Sequence, residues 1–86
     1  DIFSFGITIY ELFTGQHPCD AKEPREILRQ LRSSRYRFES PSKVNEEVPP
    51  QLDRIILKAL RRNPDSRYQS MAEMLLDFER VGESRI

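Results

Sequence analysis

The first fourteen residues, from Asp1 to Thr14, are almost wholly apolar or small, and they pose the folding problem that the rest of the chain has to solve. Ile2, Phe3, Phe5, Ile7, Ile9, Tyr10, Leu12 and Phe13 all need cover. Each large apolar side chain left in water forgoes roughly 1.5–3 kcal/mol. Phe3, Phe5, Ile7 and Ile9 alternate with Ser4, Gly6 and Thr8, which is a period of two. The Ile and Phe content suits a strand, and Gly6 and Thr8 weaken a helix. By pattern alone the segment predicts a strand. The whole chain has 86 residues, below the common domain size of ~100–150, so any core it builds is small.

Composition narrows the function classes. Hydrophobic residues make up 37% and charged residues 33% of the chain, too apolar for a disordered segment and ordinary for a globular one. Fourteen Lys and Arg balance fourteen Asp and Glu. That neutrality argues against a dedicated nucleic-acid binder, which carries a basic excess. Cys19 is the single cysteine, so no internal disulfide and no multi-cysteine metal site can form, and the chain suits a reducing compartment. No apolar run approaches the ~18 residues that cross a bilayer. The chain starts at Asp1, without a signal peptide or an initiator Met, inside what reads as a structured segment. This suggests a truncated gene product or an incomplete record.

Beyond Thr14 the elements read as helices and loops. Gly15 fits a helix C-cap and Pro18 prevents continuation. Residues 16–23 read as a loop. Pro24 suits a first helical position, and Ile27, Leu28 and Leu31 follow at helical spacing, predicting a short amphipathic helix over 24–32. Residues 33–49, rich in Ser, Pro and Asn, read as a long loop lying over a larger body. Pro50 can open the next helix, with Asp53 in its first turn. Leu52, Ile55, Ile56, Ala59 and Leu60 form one helical stripe, which Asn63-Pro64 stops. Ser70 and Glu73 have capping-box spacing before a last helix. Met71, Met74, Leu75 and Phe78 are its expected buried face, and Gly82 its expected stop.

Two stretches carry a resemblance. One is Asp1-Ile2-Phe3-Ser4-Phe5-Gly6, followed by Tyr10-Glu11-Leu12-Phe13-Thr14-Gly15 and Pro18. The other is Ala59-Leu60-Arg61-Arg62-Asn63-Pro64-Asp65-Ser66-Arg67-Tyr68. Together they resemble the C-terminal third of a protein kinase domain. Phe3, in place of the Trp usual in tyrosine kinases, and Ala59-Leu60, in place of a Cys-Trp pair, resemble the serine/threonine class. Arg67-Tyr68-Gln69-Ser70-Met71 resembles its bacterial members. The resemblance implies a mainly α fold: the helical C-terminal portion of a kinase-like large lobe, an incomplete domain over residues 1–80 with a tail over 81–86. It turns residues 1–14 into the long buried helix at the centre of that lobe. A helix apolar on nearly all sides is one covered on all sides.

The resemblance also implies roles for single residues. Asp1 looks like the Asp that begins the central helix and accepts backbone N–H groups of the catalytic loop. A carboxylate at a helix N-terminus is also simply a favourable cap. Arg67 looks like the family's buried Arg, whose planar fork pairs with a Glu closing the activation segment. That Glu would lie N-terminal to Asp1, and the alternative for Arg67 is an exposed loop residue. Ile27, Leu28 and Leu31 are either core or a docking face, since the corresponding kinase helix stands off the lobe. Arg29, Arg32, Arg35 and Arg37, near Tyr36 and Phe38, form the only basic cluster and read as a solvated face ahead of a nucleic-acid patch. His17 and Cys19 lack an orienting third group for nucleophilic catalysis. Cys19 also departs from the aromatic or aliphatic residue usual at its position in kinases.

The activity implied is transfer of the ATP γ-phosphate to protein Ser or Thr, with ATP and Mg²⁺ as cofactors of the parent. Such chemistry needs a glycine-rich phosphate cover, a Lys, a base Asp and Mg²⁺-holding Asp and Asn. The chain has no G-x-G-x-x-G, H-R-D or D-F-G. It therefore has no catalytic, cofactor-binding or metal-binding residue of its own, and its partners are the missing N-terminal part of the domain and a protein substrate. The implied location is cytoplasmic, in a parent that membrane anchoring would also suit. A pseudokinase or scaffold fragment that binds partners without catalysis is the alternative. An unrelated helical interaction domain, folding alone, is a third reading.

Overall fold

The computed structural model describes residues 1–19, 23–33 and 37–83, apart from the side chain of Glu83. Five α-helices follow one another there: α1 Ile2–Thr14, α2 Pro24–Arg32, α3 Pro41–Val44, α4 Pro50–Ala59 and α5 Met71–Glu83. A 3-10 turn, Pro64–Ser66, lies between α4 and α5. No strand occurs among the described residues.

The first segment is a helix, as the family resemblance implies and as its period-two pattern does not. Steps of 100° distribute the alternating residues around α1 instead of onto one face. Asp1 Oδ1 caps its start, accepting the Ser4 N–H at 2.8 Å. Gly15 ends it at φ 73°, donating its N–H to Glu11 O at 2.8 Å. This is the one position where the chain needs glycine's left-handed freedom.

α4 is the organising element. Its apolar stripe splits into two rows that serve two clusters. Ile55 and Ala59 join Tyr68 and Met74, with Ile2, Phe5, Phe78 and Val81 against them. Ile56 and Leu60 join Tyr10, with Phe3, Ile7, Ile9, Phe13 and Phe38 against them. α1 lies across both rows. Gly6 makes the crossing possible, because a Cβ there would sit 3.0 Å from Ala59 Cβ. Among the described residues, α1 is covered by α4 and by α3 with its flanking residues. Gly6 and Tyr10 are its buried residues and Leu12 is 74% exposed, so the expected burial on all sides is not met within this chain.

Three expectations from sequence need correction. The loop expected over 33–49 contains α3, a single turn held from outside itself: Asp53 accepts the Ser42 N–H on Oδ1 at 2.8 Å and its hydroxyl on Oδ2. Asp53, expected to serve its own helix dipole, thus also ties α3 to α4. The buried face of α5 is Met74 with Phe78 and Val81, whereas Met71 and Leu75 are exposed. Gly82 does not stop α5, which runs on to Glu83. The capping expectation at Ser70 holds in its main bond, Glu73 N–H to Ser70 Oγ at 3.1 Å.

Candidate functional site

The first turn of α1 and the loop between α4 and α5 meet through two side chains. Arg67 follows the 3-10 turn that Asn63 starts, its Oδ1 accepting the Asp65 N–H at 3.0 Å. The Arg67 guanidinium reaches back to Arg61 and Arg62, which follow the end of α4 and its cap at Leu60. Its Nε donates to Arg61 O at 2.6 Å and its Nη2 to Arg62 O at 3.2 Å. The guanidinium carbon lies over the Phe3 ring, 4.7 Å from the centroid. Arg67 is half-buried, and no carboxylate pairs with it among the described residues. Nη1 makes no hydrogen bond among them.

Asp1 sits two residues before Phe3 on the same turn. It is exposed, and only its Oδ1 is engaged, by the Ser4 N–H. The capping function weighed for it is therefore present in the structure. Tyr68, next to Arg67, anchors the loop from its other end. It donates its hydroxyl to Asp77 Oδ2 at 2.7 Å, and Lys58 Nζ stands 4.3 Å from its ring centroid. Burial, and then the Asp77 carboxylate, push the Tyr68 phenol well above its ordinary range.

Ile27, Leu28 and Leu31 share α2, a helix with no buried residue. Ile27 and Leu31 are half-buried, and Leu28 is 53% exposed. Arg62 holds the end of α2 to the end of α4, donating from Nη1 to Leu31 O at 2.6 Å. Arg62 also contributes to a groove of about 460 Å³, lined among others by Phe38, Leu57, Leu60, Arg37 and Arg61. Of the basic cluster, Arg29 pairs with Glu26 one turn earlier and holds that carboxyl below the usual range, while Arg35 and Tyr36 lie outside the described residues.

His17 and Cys19 do not form a nucleophile and base. His17 Nδ1 accepts the Cys19 backbone N–H at 3.0 Å, so it is turned to the main chain. Cys19 is 3% exposed, and burial raises its thiol pKa against a smaller opposing effect of Arg62. An activated thiol shows the reverse. No group of three His, Cys, Asp or Glu among the described residues could hold a metal ion.

Pattern reading missed Phe3 as a partner of Arg67, and equally the bonds from Tyr10 hydroxyl to Glu39 O at 2.8 Å and from Asn45 Nδ2 to Phe13 O at 2.9 Å. These pairs are 29 or more residues apart, and no local spacing signals them.

A family model described as protein tyrosine and serine/threonine kinase matches residues 1–77. The chain belongs to this kinase family. It is 40% identical over 85 residues to the serine/threonine-protein kinase PknB of Mycolicibacterium smegmatis, covering 99% of the chain and 13% of that protein. It is 35% identical over 82 residues to a probable serine/threonine-protein kinase of Clostridium acetobutylicum, covering 94% of the chain and 12% of that protein. PknB of Mycobacterium leprae is 38% identical over 82 residues, again 94% of the chain and 13% of the relative. The chain thus spans about an eighth of the length of these relatives. The helical fold and the bacterial serine/threonine character of the likeness agree with the resemblance drawn from Asp1–Gly6 and Ala59–Tyr68. No helix among the described residues is long and apolar enough to cross a membrane.

Proposed function

We propose that residues 1–80 are the helical C-terminal part of the large lobe of a serine/threonine protein kinase, with 81–86 as a tail, and that the parent transfers the γ-phosphate of ATP to Ser or Thr of a protein substrate in the cytoplasm. The observation that carries this reading is the arrangement of Arg67. Its Nε and Nη2 donate to two carbonyls, its guanidinium carbon stands over the Phe3 ring, and its Nη1 side is left for the bidentate carboxylate partner that this reading calls for. In this reading a Glu closing the activation segment fills that role. Asp1 supports the catalytic loop through the carboxylate oxygen that the helix cap leaves over. The face of Ile27, Leu28 and Leu31 takes a partner or substrate.

ATP and Mg²⁺ belong to the parent. The residues present do not fit them: Gly6 lies inside a helix, Gly15 ends one and Gly82 lies inside another, so no glycine-rich loop exists here. The contribution of this chain is to hold the catalytic loop and activation segment in shape, which matters because phosphoryl transfer relies on positioning. The test is incubation of the intact protein with γ-labelled ATP and a generic protein substrate, followed by phosphoamino-acid analysis. Label on Ser or Thr is the expected result. ATP binding without transfer would favour a pseudokinase, and neither binding nor transfer would end the kinase reading.

A further inference from the structure

We propose that Phe3 is a positioning residue for Arg67: its ring face holds the guanidinium plane so that the terminal Nη1/Nη2 edge is presented to a carboxylate. The identity of that carboxylate rests on the kinase reading above. The positioning itself rests on geometry.

An arginine side chain has several freely rotating bonds, and a half-buried one with a single hydrogen bond would sample many orientations. Arg67 is restrained from two directions at once. In the guanidinium plane, Arg61 O and Arg62 O take the Nε/Nη2 edge at 2.6 and 3.2 Å. From the other direction, the guanidinium carbon stands over the Phe3 ring, 4.7 Å from its centroid. Two in-plane bonds leave the group free to tilt about the line through them, and the ring contact removes that tilt. The ring face is electron-rich and attracts the cation, so the contact is favourable and not merely steric. Phe3 is itself held, because it packs against the Tyr10, Ile56 and Leu60 cluster. The core thus extends one aromatic face outward under a charge, which links α1 to the α4–α5 loop at the point where the receptor edge emerges.

The competing view is that Phe3 only fills space beside Ile56. Substitution separates the two. Phe3→Leu keeps an apolar side chain and removes the ring face; Phe3→Trp keeps a face and strengthens the cation contact. The readout is the Nε–H resonance of Arg67 in the intact protein, assigned by its loss in Arg67→Lys, with solvent exchange as the measure of order. Phe3→Leu should speed that exchange by about 2- to 30-fold, the range that ring–cation energies imply, and Phe3→Trp should restore it. A double-mutant cycle of Phe3→Leu with Arg67→Met should show coupling of the same size in the unfolding equilibrium. Should Phe3→Leu fail to fold, Phe3→Met takes its place. Unchanged exchange with no coupling, or Leu and Trp variants that behave alike, would overturn the proposal. Neither readout uses phosphoryl transfer, so an intact protein without kinase activity but with this coupling would refute the kinase reading and leave the positioning standing.

Discussion

Gly6→Ala should destabilise the protein carrying this chain by about 1–2 kcal/mol, although glycine-to-alanine in an open helix interior is stabilising by about 1 kcal/mol. The sign turns on the crossing of α1 and α4. A Cβ at residue 6 would lie 3.0 Å from Ala59 Cβ and 3.1 Å from Leu60 Cδ2, where carbon atoms prefer ~3.5–4.0 Å. Leu60 could rotate, but it is 1% exposed and has little room. Ala59, 0% exposed, cannot rotate its Cβ away at all, because that atom is fixed to the backbone of α4. The helices must therefore part by several tenths of an ångström, and both apolar clusters share α4 and loosen with them. Overpacking of this kind costs about 1–3 kcal/mol, and a rigid neighbour places it in the upper part of that range. Subtracting about 1 kcal/mol of helix propensity leaves the stated net cost. Gly82→Ala is the internal control: nothing lies within 4 Å of a Cβ there, it sits inside α5, and it should gain about 0.5 kcal/mol. Urea unfolding of the two variants beside the wild type measures both. A Gly6→Ala protein as stable as the wild type, or more so, would refute the close crossing and the clusters built on it.

Leu28→Glu, at an exposed point of α2, should change stability by less than ~0.5 kcal/mol and weaken partner or substrate binding; a loss above ~2 kcal/mol in thermal unfolding would make Leu28 core and end the docking idea. Tyr68 has its folded-state pKa raised, so its neutral form stabilises the fold fully below the unfolded value of ~10 and that contribution is lost as pH rises beyond it. Tyr68→Phe should therefore flatten the alkaline decline of the urea midpoint, and parallel pH profiles for variant and wild type would contradict this. The isolated 86 residues should give helical circular dichroism with a broad melt and binding of an apolar dye, because Leu12, Leu28 and Leu75 are 74%, 53% and 52% exposed. A sharp, cooperative melt of a monomer would instead support a self-sufficient helical domain.

Local chemistry was enough for what depends on neighbours in sequence. The α4 stripe, the Gly15 cap and the Ser70 cap of α5 all rest on spacings of at most four residues, where spacing dictates geometry, whereas α4 ends at Ala59, ahead of the stop expected at Asn63-Pro64. The resemblance carried by Asp1–Gly6 and Ala59–Tyr68 supplied the family, and it supplied the helix at 1–14 where alternation pointed to a strand. α3 was invisible because its turn is stabilised by Asp53, eleven residues away.

Other features were decided only by what packs against what. α5 offers apolar residues on several faces, at Met71, Met74, Leu75, Leu76, Phe78 and Val81. Its orientation against α4 chooses Met74, Phe78 and Val81 for burial and leaves Met71, Leu75 and Leu76 in solvent. Gly82 could have ended that helix, but nothing crowds it and the chain continues. The candidate site divides in the same way. Asp1 and Arg67 are recognisable from their motifs, since a motif is a local pattern. The partners of Arg67 are not: the Arg61 and Arg62 carbonyls become acceptors because the loop after α4 folds back along them, and Phe3 arrives from 64 positions earlier only when α1 crosses α4 at Gly6. A sequence states which groups a residue can engage, and the tertiary fold selects among them, because a contact between distant residues exists only once the helices that carry them have docked.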